Sequence, residues 1–544
     1  MSVTYGPFRL EVKGRLVPKT DFRIGSADQV TLYTDLPVLR WSQAEDGRPY
    51  IPGSSLRGVI RAHLEREHFL LGCSREILLS LFGGSGSPQG DKAAGEMSFR
   101  GRFNRLFHRR ASQRDRAAGE KSFRGRLRVF DSIPVPPTNT GAAPTYEIRD
   151  HVRIDAETSA ASDTGKFDAE QVSRFAQWEY PFRIVYEGQS EKDDELILLG
   201  SALRALQAEE LTIGSRSAIG FGRFKLEIDY YSSLNRTQPE PLLAFLRSRL
   251  PDAPAPESTA FVIPPPRHAP ITAPGPIAHH RLTFELDIPC NGPLLVKAVA
   301  LPASEQKDRK EKQKEFPPPD ARFVTSPGSP VNGIPTSNPY VPGSSLRGVL
   351  RHRGVRIGLA LKLDESIALR LFGSEKKPFE RRGLVRIEDG VVSSDAEIRS
   401  DHVAVDRITH AAAASKKFDN VALDGPMVRF RISADFTDER EDMEAIGLLH
   451  ALIQDLTLEP SDIALGSQTT RGYGSTHPGS IASIYGSFHG ALSPIARDYA
   501  EETQSRPGRI AFNSTGDRSK RLFGILCAEF DEHWQRARLR ATKA

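Results

Sequence analysis

The sequence is poor in cysteine, and this narrows the classes to which the protein can belong. Only three cysteines, Cys73, Cys290 and Cys527, occur among 544 residues. Because they are scattered and form no CxxC pair, a disulfide framework or a four-cysteine zinc site is disfavoured. His63 and His68 precede Cys73 at spacings loosely like those of metal ligands, but the three do not share one helical face, which disfavours a metal there too.

Long apolar runs are also missing. No stretch of about 18 apolar residues occurs, so no membrane-spanning helix is predicted. The first residues, MSVTYGPFRLEVKG, lack an apolar signal core, so we expect a cytoplasmic protein with no membrane partner. The sequence has no nucleotide fingerprint, and no organic cofactor is expected. A formal net charge of +5 permits a polyanionic partner without requiring one.

The chain is too long for a single core, and its sequence repeats. The decapeptide IPGSSLRGVI at 51–60 recurs as VPGSSLRGVL at 341–350, which is 290 positions later. Further matches follow in the same order: LFG (81–83 and 371–373), EIRDHVRID with EIRSDHVAVD (147–155 and 397–406), KFD (166–168 and 417–419), and IGSRSAIGFGR with LGSQTTRGYGS (213–223 and 465–475). The common order indicates a duplicated domain.

Composition and the repeat set the predicted domain boundaries. We predict a first domain at 1–250, a proline-rich linker at 251–276, a second domain at 277–480, and a C-terminal loop and helix at 481–544. The linker holds nine prolines, which block a helix or a central strand. The first domain contains an arginine-rich insertion at about 84–124. This insertion is interpreted either as a solvated loop or as a loop that contacts RNA, because arginine binds phosphate and stacks on bases.

The apolar pattern predicts mixed α+β domains. FRLEV at 8–12 and RLTFELDI at 281–288 alternate apolar and polar residues, as half-buried strands do. The segments after each PGSS motif, and those at 193–207 and 441–454, have amphipathic helical patterns. The order strand, helix, strands, helix, strand predicts two tandem ferredoxin-like (RRM-like) domains.

The repeated PGSS motif precedes a helix, where backbone amides and the helix dipole favour an anion. The candidate phosphate-binding residues are Pro52, Gly53, Ser54, Ser55, Arg57 and Arg61 in the first half and Gly343, Ser344, Ser345, Arg347 and Arg351 in the second. The alternative is an ordinary strand-to-helix turn, but the duplication favours phosphate binding. The spacing is not that of a P-loop.

A glycine-rich loop late in each half is the second repeated signal. The candidate RNA-binding residues are Gly220, Phe221, Gly222 and Arg223 in the first loop and Arg471, Gly472, Tyr473 and Gly474 in the second. Glycines permit positive φ and leave backbone amides uncovered. The alternative is a tight turn around a packed aromatic ring.

The PGSSLRG motif, LFG and the glycine-rich loop together resemble the RAMP superfamily, the ferredoxin-like RNA-binding proteins of CRISPR systems. The segment IGSADQVTLYTDLPVLRWSQAEDGRPYIPGSSLRGVIRAHLE resembles the backbone subunits of type III effector complexes more closely. The resemblance covers roughly 5–232 and 281–480. It implies that PGSSLRG-like turns hold guide RNA and that a thumb-like hairpin in each half splays the duplex of guide and target. Two such units imply a fused double backbone subunit, as in type III-D-like complexes, whose partners are guide RNA, complementary target RNA and other effector subunits.

The resemblance also implies chemistry. Catalytic members of that family use an aspartate upstream of PGSS for metal-dependent cleavage of target RNA, with the adjacent 2′-hydroxyl as nucleophile. Asp35 in TDLPVLR matches this position, and Asp320 is the best candidate in the second half. The implied cofactor is Mg²⁺ or another divalent cation, held through water. There are 21 residues between Asp320 and Pro342 but 16 between Asp35 and Pro52, which leaves open whether the second half cuts.

Two histidines occupy matched positions at the implied base of each thumb. His151 and His402 lie near Arg149, Arg153 and Arg399. A histidine there can contact phosphate or act as a general acid or base, and the alternative is a structural hydrogen bond. Two other functions stay open. One is a non-catalytic scaffold of the effector, and the other is a guide-processing endoribonuclease, which the paired PGSS motifs disfavour.

Overall fold

The computed structural model describes residues 6–26, 34–41, 47–68, 71–85, 122–135, 146–154, 161–176, 178–240, 242–243, 279–297, 319–327, 337–374, 381–393, 396–457, 463–488 and 510–541. The proline-rich linker lies outside these ranges, as does nearly all of the arginine-rich insertion. Within them, no helix is both long and apolar enough to cross a membrane.

A four-stranded antiparallel sheet forms the centre of the first half. Its elements are β1 (Phe8–Pro18), α1 (Gly53–Glu67), α2 (Arg75–Phe82), β2 (Gly83–Ser85), β3 (Ser122–Arg124), β4 (Leu127–Val129), β5 (Tyr146–Ile154), β6 (Ala161–Val172), β7 (Tyr180–Gly188), α3 (Asp194–Gln207) and β8 (Phe224–Asn235). The strand order in the sheet is β4-β7-β1-β8. Leu10 and Val12 of β1 share one buried cluster with Leu56 and Ile60, which lie four residues apart on one face of α1.

The second half repeats this arrangement. Its elements are β9 (His279–Pro289), β10 (Pro293–Leu294), β11 (Ala321–Arg322), β12 (Thr325–Pro327), β13 (Ser337–Val341), α4 (Gly343–Ala360), α5 (Glu365–Phe372), β14 (Gly373–Ser374), β15 (Arg381–Arg382), β16 (Val385–Ile387), β17 (Gly390–Val392), β18 (Glu397–Val405), β19 (Ala412–Asp424), β20 (Met427–Thr437), α6 (Arg440–Thr457), β21 (Ser480–Phe488), β22 (Ile510–Thr515) and α7 (Gly516–Ala541). Strands β16, β20, β9 and β21 follow the order of β4, β7, β1 and β8.

Both halves are therefore ferredoxin-like α+β domains, which confirms the predicted fold class. Each has its own apolar core. Each also carries a long antiparallel hairpin, β5–β6 in the first half and β18–β19 in the second. Apolar side chains such as Val152 and Val403 are exposed on these hairpins.

The residues after position 480 add to the second domain. Strand β22 pairs with β21, and α7 packs on α6. Leu526, Phe530 and Trp534 of α7 lie in the second core. The C-terminal helix is thus a packing element, and Ser480, at the predicted boundary, is the first residue of β21.

A buried arginine joins the two domains. Arg149 of β5 is 9% exposed and donates hydrogen bonds of 2.6 Å to Asp21 of its own half and to Asp389 of the other. Its guanidinium also lies 4.6 Å from the centre of the Tyr340 ring. Burial and the nearby charge of Asp21 raise the pKa of Glu147 to about 7. The Arg149 guanidinium therefore lies among three carboxyl groups, and Arg174 adds positive charge near Asp21.

The first glycine-rich loop completes this junction. Arg223 donates a hydrogen bond of 2.9 Å to Glu388 of the second half. A Cβ on Gly220 would lie 2.4 Å from the Cα of Glu388, and Gly220 also has a φ of 85°, so only glycine fits there. The loop of the first half therefore faces the second half.

We expect Arg149→Met to destabilise the protein by about 3–5 kcal/mol at pH 8, because it leaves buried carboxylates without their cation. The loss should shrink toward pH 5, where those carboxyl groups can take up protons in the folded state. Denaturant unfolding of the full chain measures both effects.

Arg15→Met is the control, because Arg15 forms an exposed pair with Glu227. We expect no measurable change for it. An Arg149→Met protein as stable as the wild type at pH 8 would contradict the role given to this arginine.

Candidate RNA-binding surface and acid pairs

The first residues of each PGSS helix are fixed by packing. A Cβ on Gly53 would lie 2.5 Å from the Val129 carbonyl oxygen, and one on Gly343 would lie 2.3 Å from that of Ile387. Only glycine allows so close an approach between helix and strand.

The Gly53 amide donates to Asp131 at 2.7 Å, as the Gly343 amide does to Asp389 at 2.9 Å. The first amide of each helix is therefore occupied by a carboxylate of this chain.

The first arginine of each motif also has a partner inside the protein. Arg57 donates to the Phe82 carbonyl and lies 5.5 Å from the centre of that ring. Arg347 contacts Phe372 in the same way, at 5.6 Å. Burial, with Arg351 and Arg382 nearby, lowers the pKa of Arg347 to about 10. Both arginines thus hold the end of the LFG helix, and their positions give no support to the predicted RNA contact.

Other residues of the motif point away from the core. Ser54, Gly58 and Arg61 lie at i, i+4 and i+7, so they share one face of α1, opposite Leu56 and Ile60. Ser54 and Gly58 are exposed, and nothing lies within 4 Å of a Cβ placed on Gly58. We call this face the motif strip.

The second half has the matching strip. It consists of Ser344, Gly348 and Arg351 on α4, and nothing lies within 4 Å of a Cβ placed on Gly348. Arg351 is exposed, whereas Arg61 bonds the exposed Glu65 at 2.9 Å.

Ser55 and Ser345 flank the strips. The Ser55 amide donates to the Pro52 carbonyl and the Ser345 amide to the Pro342 carbonyl, each at 2.9 Å. Hydroxyls, an open glycine and a guanidinium on one face suit a phosphate backbone.

The two glycine-rich loops differ in exposure. Phe221 is 2% exposed and packs near Arg149, so its ring cannot stack on a base. In the second loop, Arg471 and Gly472 are exposed, and nothing lies within 4 Å of a Cβ on Gly472. Tyr473 is buried and contacts the root of the second hairpin. Only the second loop therefore presents predicted residues at the surface.

Each thumb root contains a histidine stacked on a phenylalanine. His151 lies 5.2 Å from Phe167 and accepts a hydrogen bond of 2.6 Å from Arg216. Burial and Arg216 lower the pKa of His151 to about 4, so its ring is neutral near pH 7. His402 stacks on Phe418 at 5.0 Å.

The second root holds its histidine through polar neighbours. His402 lies 2.9 Å from the Asn420 amide and 3.3 Å from the Tyr473 hydroxyl. Both histidines are tied into their hairpins, which favours the structural alternative. Arg153 is exposed on the first hairpin.

The two candidate aspartates lie in matched places, each next to a second aspartate. The Asp35 amide donates to Asp168 at 2.7 Å, and the Asp168 amide donates back to Asp35 at 3.1 Å. The same exchange joins Asp320 to Asp419, at 2.9 and 3.1 Å. We call these the first acid pair (Asp35, Asp168) and the second acid pair (Asp320, Asp419). The different spacing to PGSS therefore does not prevent Asp320 from reaching the position equivalent to Asp35.

The donor set of an acid pair fits a hydrated Mg²⁺. Two carboxylates supply hard oxygen ligands, and Mg²⁺ keeps several waters and takes substrate phosphates as further ligands. Asp35 and Asp320 are exposed, so a phosphate has access to them. Among the described residues, no group of three metal-ligating side chains occurs, and His68 bonds the Cys73 carbonyl at 3.0 Å.

Sequence reasoning missed Asp168 and Asp419 as site residues. Both end the repeated KFD motif, so the repeat itself was an available signal. Their bonds to Asp35 and Asp320 cross 133 and 99 positions of sequence. Such long-range pairs cannot be inferred from spacing along one chain.

The fold and the duplicated surfaces define a tandem ferredoxin-like protein with two matched motif strips. A family comparison matches the RAMP superfamily at residues 18–225 and 326–477, which together exceed half of the chain. The chain therefore belongs to the RAMP superfamily, whose members are RNA-binding proteins of CRISPR complexes. A search of curated proteins found no match.

The two glycines of one motif should respond differently to alanine. We expect Gly53→Ala to destabilise the protein by about 1–3 kcal/mol, because its Cβ overlaps a strand backbone. Gly58→Ala should stabilise it by about 0.5–1 kcal/mol, because the site is open and alanine favours helix. Thermal unfolding of both variants measures the difference, and equal effects would contradict the packing described for Gly53.

Proposed function

We propose that this protein is a fused double backbone subunit of a type III, III-D-like CRISPR effector. It binds guide RNA through both halves and cleaves complementary target RNA with a divalent cation. The single observation that carries the RNA-binding role is the motif strip. The fold accounts for Gly53, Leu56 and Arg57 of the repeated string, but Ser54 and Gly58 remain exposed without a packing role.

The strips explain why those residues occur twice. A glycine in the interior of an exposed helix costs about 1 kcal/mol relative to alanine. Gly58 and Gly348 gain nothing within the fold that offsets this cost. Open helical surface beside serine hydroxyls and an arginine lets an RNA backbone approach closely. Each half therefore contributes one phosphate-binding surface.

The acid pairs support the cleavage part of the proposal. The Asp35 and Asp168 carboxylates would hold the cation, and each is fixed by the backbone amide of the other. When bound, the cation supplies positive charge against the scissile phosphate. A carboxylate oxygen of Asp35 can also accept a proton from the attacking 2′-hydroxyl. The exposed position of Asp35 supports this role over that of a buried scaffold residue.

RNA binding can be tested by filling the open glycines. We expect Gly58→Leu combined with Gly348→Leu to weaken guide-RNA binding about tenfold or more, because leucine occupies the space next to the phosphate; tenfold corresponds to about 1.4 kcal/mol. Fluorescence anisotropy at one fixed salt concentration measures the affinity.

Gly358→Leu is the matched control. Gly358 lies on α4 as Gly348 does, with nothing within 4 Å of its Cβ. It lies about 15 Å further along the helix. Equal affinity of the double variant and this control would remove the support that the strip gives to RNA binding.

Cleavage can be tested in the reconstituted guide complex. The assay uses end-labelled complementary RNA and Mg²⁺. Asp35→Asn should slow cleavage at the site served by the first half by about a hundredfold or more, while RNA binding persists. Asp320→Asn tests the second half in the same assay, and chelation of Mg²⁺ should abolish all cuts.

Asp364→Asn is the control for these substitutions. Asp364 caps α5, and asparagine caps a helix equally well. If Asp35→Asn and Asp320→Asn both cut like the wild type, the chain is a scaffold rather than a nuclease.

A further inference from the structure

In the second acid pair a guanidinium bonds directly to one of the two carboxylates. Arg399 donates a hydrogen bond of 2.8 Å from Nε to Asp419 Oδ2, and its Nη2 bonds the same oxygen. The other oxygen of Asp419 accepts the Asp320 amide. Burial opposes ionisation of Asp419, but the Asp320 amide and Arg399 outweigh it and lower its pKa. Both oxygens of this carboxylate are therefore engaged.

Among the described residues, the first acid pair has no such cation. Asp168 Oδ1 accepts the Asp35 amide, and within the described part of the chain no basic side chain bonds to Asp35 or Asp168. The arginine of the matching EIR tripeptide, Arg149, is held instead between Asp21 and Asp389 at the domain junction.

One inserted residue explains the difference. In the first hairpin Asp150 pairs with Asp168, so Arg149, one position earlier, lies on the opposite face of the strand.

In the second hairpin Asp401 pairs with Asp419, and Ser400 separates Asp401 from Arg399. Arg399 is two positions from Asp401, so it lies on the same face as Asp419. Insertion of Ser400 thus turns the arginine from the junction face to the acid-pair face.

We propose that Arg399 is a positioning and specificity-determining residue that closes the second acid pair to divalent cations, so that metal binding belongs to the first acid pair alone. This inference rests on the proposed function and deepens it. The guanidinium occupies one carboxylate and repels a second cation. At contact distances that repulsion weakens divalent binding by about tenfold or more.

The test uses the full-length protein with Fe²⁺ as the metal probe. Ascorbate and peroxide generate hydroxyl radicals at bound iron, and mass spectrometry locates the resulting breaks in the protein backbone. For the wild type we expect breaks around residues 35 and 168 and none around 320 and 419. Asp168→Asn should remove the breaks at the first acid pair.

Substitution of Arg399 should open the second acid pair. We expect Arg399→Gln to add breaks around 320 and 419, and Arg399→Lys, which keeps the charge, to leave that pair closed. Deletion of Ser400 should open it as well, because Arg399 then moves to the other face. Arg322→Gln is the matched control, since Arg322 lies beside Asp320 but bonds Glu397 at 3.0 Å.

Two results would overturn the inference. One is an equal density of breaks at both acid pairs of the wild type. The other is an Arg399→Gln protein that is folded and binds RNA but shows no new breaks around 320 and 419. A protein that binds iron at neither acid pair gives this same result and also overturns the inference. The cleavage proposal can fail while this inference holds. If iron binds only at the first acid pair and no RNA is cut, the result contradicts cleavage but not the role of Arg399.

Discussion

The carboxylate of Asp389 is the contact on which the arrangement of the two domains depends. One oxygen accepts the Gly343 amide at the start of α4, and the other accepts Arg149 from the first hairpin. A single side chain therefore fixes the second motif helix relative to the first thumb. Asp131 makes the matched bond to Gly53 and remains exposed. The two hydrogen bonds of Asp389 therefore tie the start of α4 to the β5–β6 hairpin of the first half.

The sequence predicted the features that depend on local pattern. Strand alternation at 8–12 and 281–288, the helices after PGSS and the duplication led to the tandem ferredoxin-like fold, which the structure confirms. The hairpins followed from the family resemblance. Asp320 was chosen as the equivalent of Asp35 despite its different spacing, and the structure places both beside an aspartate of KFD.

Long-range partners could not be predicted in the same way. Arg57 and Arg347 were assigned to phosphate because of their position on a helix, but each reaches a carbonyl 25 residues away. Phe221 was assigned to RNA because it lies between glycines, but its side chain is buried and Arg149 packs against its ring. In both cases tertiary packing uses a residue type that also suits RNA, and only the fold distinguishes the two uses.

A small sequence difference between the halves has a large electrostatic effect because of the geometry of a strand. Side chains alternate across a strand, so the extra Ser400 reverses the direction of a neighbouring arginine. In one half that arginine joins the domains, and in the other it neutralises an acid. The duplicated domains therefore share a fold and a motif strip while their acid pairs carry different net charge.

The most direct measurement of the central claim is an electron cryo-microscopy structure of the protein bound to guide RNA and complementary target. We expect guide phosphates against Ser54, Gly58 and Arg61 and, in the second half, against Ser344, Gly348 and Arg351. A guide that follows another path and leaves both motif strips in solvent would contradict it.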